Sequence, residues 1–394
     1  MTVRLHAPSV MFGGTLVALF LLCIGMQQVH SAIRIPTLTP QQEEILSHMS
    51  IVQLPDGQGG LRKTVRISGV NLQVVNGLGA TNGYPLDPNE IDPQLTATNG
   101  LGNLIIGYDG AGGYFPDDRT GSHNLVVGHG NAYASFGGVV AASNNAISGP
   151  FACVTGGRNS IASGYSASVS GGDFNAATNQ YASVSGGTFN IASGGGASVT
   201  GGSNNRSQSF QSSILGGFDN KTLAQGSSVA GGRGNEVSAN YACIAGGLNN
   251  RITGDPQGGG GIHGVIAGGR ANTVSGASAA VGGGAANQAN GSDAAVSGGY
   301  FNVAGGIYSS ISGGGQGSAS GEYSSISGGN LNIATGGSSW VGGGEQNLAS
   351  SSLSSVCGGE QNTASGYGSV VGGGAGRSAT GPNDWRAGTL FEDQ

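Results

Sequence analysis

Aliphatic residues recur along most of the chain at a fixed interval, and a pair of glycines follows each of them. Val or Ile stands at fifteen positions that lie 15 residues apart, except for one step of 22 residues between Ile244 and Ile266. Gly follows two and three residues later in every unit, a register that chance does not maintain over so many units. These fifteen ladder residues are Val154, Val169, Val184, Val199, Ile214, Val229, Ile244, Ile266, Val281, Val296, Ile311, Ile326, Val341, Val356 and Val371.

A second periodic position lies six residues after each ladder residue and is occupied by Asn in 12 of the fifteen units. Ser160, Gly317 and Arg377 stand there in the other three units. Two residues further on, a small or branched side chain such as Ala162 or Ala192 completes the pattern. The recurring asparagines are Asn175, Asn190, Asn205, Asn220, Asn235, Asn250, Asn272, Asn287, Asn302, Asn332, Asn347 and Asn362.

Each unit predicts one coil with two short strands and two corners. The segment 182–185 alternates small and polar residues as a strand does, and Gly186 and Gly187 permit a tight corner with positive φ. A helix is excluded because each Gly would cost it roughly 1 kcal/mol. One coil cannot bury its own Val184, so coils must stack and place like residues on like. The sequence therefore predicts an all-β fold, a parallel β-roll of 15-residue coils over residues 100–380 whose fifteen regular coils extend about 70 Å.

Residues before the roll predict other elements. Thr39, Pro40 and Gln42 are typical of a helix start, with Thr39 as the N-cap. Ile45, Met49 and Val52 have the spacing of a short coiled-coil seam, and the segment 61–75 predicts two strands around a glycine. We therefore expect a helix and strand segment with its connector over residues 32–99, and a polar tail over residues 381–394.

The N-terminus predicts a secretory signal peptide over residues 1–31. Arg4 supplies a positive start, and an apolar run from Met11 to Met26 is too short to be a typical membrane span. We expect cleavage after Ser31, or alternatively after Ala32, and no membrane span in the mature chain. This predicts a secreted, extracellular or cell-surface protein.

Composition removes several classes of function. The chain has 394 residues, of which 81 are Gly and only 9% are charged. Gly does not occupy every third position, which excludes collagen. The 14 basic residues are outnumbered by 20 acidic ones and form no run, which argues against nucleic-acid binding. A net charge of −6 is too small for a disordered polyelectrolyte.

No residue pattern predicts catalysis, a cofactor or a metal site. His123 and His129 are near neighbours, but no acidic or thiol side chain has ligand spacing beside them. The units also lack the Asp of calcium-binding nonapeptide repeats. We therefore expect a protein that is not an enzyme. The seven extra residues near Asp255 predict a protruding loop, which is either a contact site or a tolerated insertion.

The cysteines are too far apart to pair within one chain. Cys153 and Cys243 lie six coils apart, about 29 Å, and Cys357 is more distant still. We expect them to be free thiols, or to bridge between subunits.

Small hydroxyls flank the ladder residues and tyrosines precede them, which predicts a flat contact face. Such a face suits packing against a sister rod, and it also suits an extended ligand such as a triple helix, a glycan chain or an ice lattice. Because each coil buries only one Val or Ile, we expect a homo-oligomer that adds buried area. The candidate contact residues are Ser168, Ser183, Ser185, Ser312, Ser327, Tyr181, Tyr241, Tyr308 and Tyr323.

The repeats resemble the head repeats of YadA-like trimeric autotransporter adhesins. Segments 182–187 and 190–194 carry this resemblance, together with the segments 103–107 and 124–128, which match the family's Ser-Val-Ala-Ile-Gly unit most nearly. The resemblance implies a left-handed β-roll, three chains side by side, and binding of collagen or other matrix proteins, or self-association. The repeats depart from the family in two respects: their period is 15, where family heads have nearer 14, and they carry Gly-Gly pairs. We also see no long stalk or membrane anchor.

These observations favour a secreted structural or adhesive protein, a homotrimer that binds matrix, glycan or neighbouring cells through a repetitive face. The alternatives are an ice-binding solenoid and a self-assembling extracellular fibre or sheath component.

Overall fold

The computed structural model describes residues 38–254 and 260–387. The chain divides into two compact units, and the boundary lies between Gln73 and Val74. The predicted signal peptide over residues 1–31 and the extra residues around Asp255 lie outside the described residues. Each unit is described separately below.

The first unit begins with the predicted helix, α1 (Pro40–Ser47). The Thr39 side chain accepts a hydrogen bond from the Gln42 backbone N–H, and the Gln42 side chain accepts one from the Thr39 N–H. This capping box satisfies two N–H groups that the first turn leaves free. The coiled-coil seam is wrong, because the helix ends at Ser47 and both Met49 and Val52 lie on the strand that follows.

An antiparallel hairpin follows the helix, made of β1 (Met49–Pro55) and β2 (Leu61–Ile67). The Asp56 carboxylate turns the chain by accepting backbone N–H groups of Gln58 and Gly60, each at 2.8 Å. These bonds hold the pKa of Asp56 below its ordinary value. The prediction of two strands over residues 61–75 is wrong for its second half, because β2 pairs with the preceding strand instead.

The second unit is a parallel β-solenoid of about 17 turns with coils of roughly 15 residues, which confirms the predicted fold class. Two open ladders of parallel strands run along it, and every strand pairs with the equivalent strand of the next coil. The first ladder contains β3 (Leu104–Ile106), β4 (Leu125–His129), β6 (Val139–Ser143), β8 (Cys153–Val154), β10 (Ser168–Val169), β12 (Ser183–Val184), β14 (Ser198–Val199), β16 (Ser213–Ile214), β18 (Ser228–Val229), β20 (Cys243–Ile244), β22 (Val265–Ile266), β24 (Ala280–Val281), β26 (Ala295–Val296), β28 (Ser310–Ile311), β30 (Ser325–Ile326), β32 (Trp340–Val341), β34 (Ser355–Val356), β36 (Val370–Val371) and β38 (Trp385–Arg386).

The second ladder lies on another side of each coil. Isolated parallel bridges, such as the one between Asp173 and Thr188, connect successive coils at the corner between the two ladders. The second ladder contains β5 (Ala132–Tyr133), β7 (Ala146–Ile147), β9 (Ile161–Ala162), β11 (Ala176–Ala177), β13 (Ile191–Ala192), β15 (Arg206–Ser207), β17 (Lys221–Thr222), β19 (Glu236–Val237), β21 (Arg251–Ile252), β23 (Thr273–Val274), β25 (Gln288–Ala289), β27 (Val303–Ala304), β29 (Ser318–Ala319), β31 (Ile333–Ala334), β33 (Leu348–Ala349), β35 (Thr363–Ala364) and β37 (Ser378–Ala379).

Three columns of side chains fill the core. The fifteen ladder residues are all buried, and none is more than 2% exposed. The small residues of the second ladder, such as Ala192, face them. The sequence pattern did not predict the third column, which holds Ala or Ser two residues before most ladder residues, for example Ala182 and Ser324. These small side chains leave room for neighbouring walls of the coil to approach closely.

The asparagine column forms a chain of buried hydrogen bonds that is interrupted at Gly317. The Asn190 N–H donates to Asn175 Oδ1 at 3.0 Å, and Asn190 Oδ1 accepts the N–H of Asn205 at 3.0 Å. Asn190 Nδ2 donates to the carbonyl oxygens of Gly186 and Gly202, both at 2.9 Å. The side-chain amide of each asparagine therefore connects its own corner with the next coil, and the backbone N–H connects it with the coil before.

Two corners of each coil require left-handed backbone. Phe189 has φ of 56° and Gly196 has φ of 64°, and the equivalent residues of other coils have similar values. At these corners the N–H points to the preceding coil: Phe189 N–H donates to Asp173 O, and Gly196 N–H donates to Gln180 O. The strands donate in the other direction, as Ile191 N–H does to Asn205 O. The positive φ thus allows one coil to bond in both directions.

The repeat tolerates its irregular regions without losing register. Across the long step, Cys243 pairs with Val265, and Asn272 N–H still donates to Asn250 Oδ1 at 2.9 Å. At the other end, β38 pairs with β36, so the solenoid extends into the segment that we predicted as a tail from residue 381. An insertion at one corner therefore leaves both strand ladders intact.

We predict that Gly187→Ala destabilises the solenoid by roughly 2 kcal/mol or more. Gly187 has φ of 85°, and a Cβ there would lie 2.5 Å from Asn190 Nδ2 and collide with the Gly202 carbonyl oxygen. Gly186→Ala is the matched control, because no atom lies within 4 Å of a Cβ at that position. Thermal unfolding followed by circular dichroism compares the two variants, and equal melting temperatures would contradict this account of the corner.

We predict that Gly317→Asn stabilises the solenoid by about 1 kcal/mol. Gly317 N–H donates to Asn302 Oδ1 at 2.9 Å, but Gly317 offers the next residue in the column, Asn332, no side-chain acceptor. A Cβ at Gly317 would lie 3.1 Å from Asn302 Oδ1 and 3.6 Å from Ile326 Cδ1. Chemical denaturation measures the change, and a loss of stability would show that Ile326 already fills the space of the missing amide.

Candidate binding and assembly surfaces

The outer face of the first strand ladder is flat and carries no charge. This first-strand face consists of the residues immediately before and after each of the fifteen ladder residues, and none of them is charged. Of the predicted contact residues on it, Ser185, Ser312 and Ser327 are exposed, and Ser168 and Ser183 are half-buried. The structure therefore places all five serines on one continuous face.

The second-strand face differs from it in charge. Its outward positions include Arg206, Lys221, Glu236 and Arg251 in four successive coils. Arg251 Nη2 lies 3.1 Å from Glu236 Oε1 across neighbouring coils. A strand face of this solenoid can therefore carry charged residues. The geometry of the coil does not explain why the first-strand face has none.

Aromatic rings line the corner that precedes the first strand. Tyr181, Tyr241, Tyr308 and Tyr323 are between 50% and 60% exposed there, as the predicted contact surface requires. The rings of Tyr308 and Tyr323 stack with centroids 4.9 Å apart. We call this row the tyrosine edge, and the structure adds rings to it that the sequence analysis missed, although they lie three or four residues before ladder residues: Phe151, Tyr165, Phe210 and Tyr367.

The four tyrosines are held in a backbone conformation that their side chains disfavour. Their φ angles are 56° or 57°, in the left-handed region, which costs a residue with a Cβ about 1 kcal/mol or more. Gly196, Gly226 and Gly368 occupy the same position in other coils with φ of 64°, 61° and 64°. Ser278, Asp293 and Leu353 adopt the same conformation at this position, so the fold imposes it whatever the side chain. Because the rings are exposed, the need for a packed core does not explain their presence.

A second aromatic row follows the glycine corner on the other side of the first strand. Phe174 and Phe189 stack with centroids 4.9 Å apart, and the Arg233 guanidinium lies 5.1 Å from the centre of the Phe218 ring. Further along, the Tyr300 hydroxyl donates to Asn330 Oδ1 at 3.4 Å. The first-strand face is therefore bordered by exposed rings on both sides.

Groups that could perform chemistry are dispersed in the described part of the chain. There, no three His, Cys, Asp or Glu side chains lie close enough together to hold a metal ion. The thiols of Cys153, Cys243 and Cys357 are free within the chain. His123 Nε2 accepts the Asn76 N–H at 3.3 Å, a contact that supports the first coils, while His129 is exposed.

A polar cluster connects the loop between β3 and β4 with Tyr133 of β5. Arg119 lies 2.7 Å from Asp117 Oδ1 and 3.6 Å from Asp109 Oδ2, and the buried Tyr133 hydroxyl donates to Asp109 Oδ2 at 2.9 Å. The Asp118 carboxylate accepts the Thr120 hydroxyl at 2.7 Å. These carboxylates are thus engaged within the chain. Burial, followed by the neighbouring Asp109 carboxylate, raises the pKa of Tyr133 to about 12.

A shallow groove of about 470 Å³ lies beside the long step of the repeat. Polar side chains of Ser209, Gln225, Ser238 and Asn240 line it together with Leu223. Asn240 Oδ1 accepts the Gln225 N–H at 3.0 Å, so one of its polar groups already has a partner in the chain. Among the described residues, none with a charged side chain lines the groove.

We predict that Tyr133 titrates well above the ordinary pKa of a tyrosine. Its hydroxyl is protonated and donates a hydrogen bond in the folded state, so the raised pKa adds stability below about pH 10. That contribution is lost as the pH rises through the folded-state pKa of about 12. Phenolate absorbance during alkaline titration should show one late component, which Tyr133→Phe removes. A wild-type titration without that component would contradict the assignment.

Comparison with known proteins does not extend this description of the surfaces. No protein-family model matches the chain, and no curated protein sequence matches it at a significant level. No helix in the described part of the chain has the length and apolar content that crossing a bilayer requires. The candidate sites of this protein are therefore two surfaces of a β-solenoid, the first-strand face and the tyrosine edge.

Proposed function

We propose that the protein is an extracellular structural and adhesive rod that performs no catalysis. In this proposal the first-strand face packs against the same face of further copies, and the remaining exposed rings adhere to a matrix protein or glycan. The observation that carries the proposal is the complete absence of charge from the first-strand face over fifteen coils, next to a second-strand face that tolerates charge.

Side-by-side packing has a physical rationale in this solenoid. Most coils bury one Val or Ile and two small residues, and a few bury a second aliphatic side chain such as Val237, Ile252 or Val274, which is a thin core for 15 ordered residues. The first-strand face consists mostly of Ser, Ala, Thr and Gly, with larger exposed side chains at Leu215, Val265 and Trp340. Contact between two such faces leaves no charge without a partner. Three copies around a common axis, as the family resemblance implies, would cover this face in every chain.

The free thiols fit the same arrangement. Cys153 and Cys243 immediately precede ladder residues and Cys357 follows one, so all three lie on the first-strand face. In a parallel association in register, the same cysteine of neighbouring copies comes to the same height. Bridges between subunits are then sterically accessible, whereas bridges within the chain are not.

The adhesive part of the proposal rests on the tyrosine edge. Exposed rings that recur along a rod offer a repeated contact to an extended ligand, and aromatic residues are enriched where proteins bind partners. The ice-binding alternative has less support, because among residues that follow a ladder residue only Thr155 and Thr200 are threonines. A regular threonine array is therefore missing.

We predict that charge on the first-strand face separates the copies. The double variant Ser185→Glu and Ser312→Glu places acidic groups at two exposed positions of this face, so symmetric copies would repel each other. The control, Gln288→Glu with Ser378→Glu, adds the same charge to exposed positions on the second-strand face. Light scattering after size exclusion should give three chains for the wild type and the control, and one chain for the first variant.

The outcome also decides the adhesive role. Wild-type protein should bind immobilised collagen or a glycan array more strongly than a Tyr308→Ala and Tyr323→Ala variant with unchanged mass. A wild type that is a single chain and binds neither type of ligand would refute the proposed function.

A further inference from the structure

Basic and acidic residues occupy different stretches of the solenoid. Residues 199–270 include three acidic residues and five Lys or Arg residues, which are Arg206, Lys221, Arg233, Arg251 and Arg270. Residues 271–376 include no Lys, Arg or His, and their acidic residues are Asp293, Glu322, Glu345 and Glu360. The carboxylates of this second stretch therefore have no cationic side chain within it.

One line of residues along the solenoid shows this separation most clearly. We call it the glycine-corner row, and it consists of the residues four positions after each ladder residue, which parallel bridges connect from coil to coil. We number the fifteen regular coils from 1 to 15 in chain order. The charged members of the row are Arg158 in coil 1, Asp173 in coil 2, Arg233 in coil 6, Arg270 in coil 8, Glu345 in coil 13 and Glu360 in coil 14.

Four of these six charges have no counter-charge in the described part of the chain. Arg158 Nη2 lies 3.0 Å from Asp173 Oδ2, so these two neutralise each other. The other four are exposed, and none lies within 4.0 Å of a described group of opposite charge. A bridge even places Glu345 and Glu360 side by side in neighbouring coils, which is unfavourable for like charges.

Charges beside the row reinforce its basic end. Arg206 and Lys221 stand on the second-strand face in coils 4 and 5. The two acidic groups nearby are already engaged, because Asp219 Oδ1 accepts Asn204 Nδ2 at 3.0 Å and Glu236 pairs with Arg251. The middle of the row is therefore cationic, and its later part is anionic.

The heights of the four unpaired charges make the row complementary to itself in the reverse direction. The two arginines are centred on coil 7, and the two glutamates are centred midway between coils 13 and 14. An antiparallel second copy, related by a two-fold axis about a quarter of a coil beyond coil 10, brings Arg233 opposite Glu360 and Arg270 opposite Glu345. Each pair then differs in height by about half a coil, roughly 2.4 Å, which these long side chains can span.

Parallel arrangements do not pair all four charges. In register, each charge of the row meets the same charge of the other copy. With a shift of six or seven coils, the glutamates of one copy meet the arginines of the next, but its own arginines are left without a partner. A shifted contact of this kind is heterologous and continues into a filament.

We propose that the glycine-corner row is a lateral contact between two copies of this chain that run in opposite directions. The contact is isologous and is complete with two copies, because every unpaired charge of both rows gains a partner. Tyr300 of coil 10 is 49% exposed and lies within half a coil of the axis, so the two Tyr300 residues meet near its centre. This contact is separate from the first-strand packing proposed above, and neither requires the other.

The first experiment detects the direction of pairing by cross-linking the full chain. Every protein in it carries Cys153→Ser, Cys243→Ser and Cys357→Ser, so that only one introduced thiol reacts. Tyr300→Cys places that thiol near the axis, and a short bismaleimide should convert most of the protein into a covalent dimer at low salt. Thr188→Cys is the control, because coil 3 of one copy lies opposite no regular coil of the other.

Denaturing electrophoresis measures the covalent dimer, and circular dichroism verifies that both thiol variants fold. The antiparallel contact predicts at least about tenfold more dimer for Tyr300→Cys than for Thr188→Cys. Copies packed in register and parallel would place both residues at equal heights and give similar amounts. Similar amounts of dimer from the two variants, or no dimer from either, would overturn the proposal.

The second experiment tests the charges. Arg233→Glu with Arg270→Glu makes the unpaired charges of the row all acidic, and Glu345→Lys with Glu360→Lys makes them all basic. Each double variant should raise the dissociation constant of the antiparallel pair about tenfold or more, and an equimolar mixture of the two should restore wild-type association. The control, Asp293→Lys with Glu322→Lys, makes the same change of charge at exposed positions outside the row and should stay within about twofold of the wild type.

Salt separates this contact from the first-strand packing. Sedimentation measures the mass of each protein over a concentration series at about 20 mM and about 500 mM salt, where the screening length falls to about 4 Å. The uncharged first-strand contact should persist at high salt, whereas the corner contact should form only at low salt. A wild-type mass that is the same at both salt concentrations, or a mixture as dissociated as its components, would show that the corner contact is wrong. Failure of the first-strand packing alone would leave the salt-dependent pairing intact.

Discussion

The hydrogen-bonded column of asparagine amides is the interaction on which the solenoid depends. Each amide is buried, accepts one backbone N–H from the next coil and donates to two glycine carbonyl oxygens, as Asn190 does. A buried polar group without a partner costs about 1–3 kcal/mol. Removal of the Asn190 amide leaves the Asn205 N–H and the Gly186 carbonyl without a partner, whereas the Gly202 carbonyl still accepts the Thr188 N–H. The hydrophobic ladder alone offers one aliphatic side chain in each coil, and it does not specify the corner. The amides therefore determine how far each coil turns before the second strand begins.

The glycine corners follow from the same column. The second glycine of the pair has positive φ, and its hydrogen atom occupies the place where a Cβ would strike Asn190 Nδ2 and the carbonyl of the next coil. The left-handed residues at the other corners have a different origin. They reverse the direction of one N–H so that a coil bonds to the coil before it as well as the coil after it. The fold imposes this conformation on Phe189 and Tyr181 alike, although neither residue prefers it.

Charged and aromatic side chains are distributed unevenly over the surface of the solenoid. Charge appears on the second-strand face, where Glu236 and Arg251 pair across coils, and it is absent from the first-strand face. Exposed rings border the uncharged face, and in the first unit Ile51 and Val65 are exposed. These features support the association proposed above. They involve extended faces rather than an enclosed pocket with converging reactive groups.

The sequence by itself determined the period, the class of fold and the identity of two inward columns, because like residues must stack when no single coil can bury its own Val184 or Ala192. It also located the helix start at Thr39, where the capping residues act over three positions. The tertiary structure decided what depends on contacts between distant segments. Only the structure shows that Met49 belongs to a strand, because cross-strand pairing with Ile67 outweighs a helical spacing. The third inward column and the left-handed tyrosines follow from the direction of backbone hydrogen bonds between coils. Neither a small residue such as Ala182 nor an exposed residue such as Tyr308 has a conformational preference from which the direction of these hydrogen bonds could be predicted.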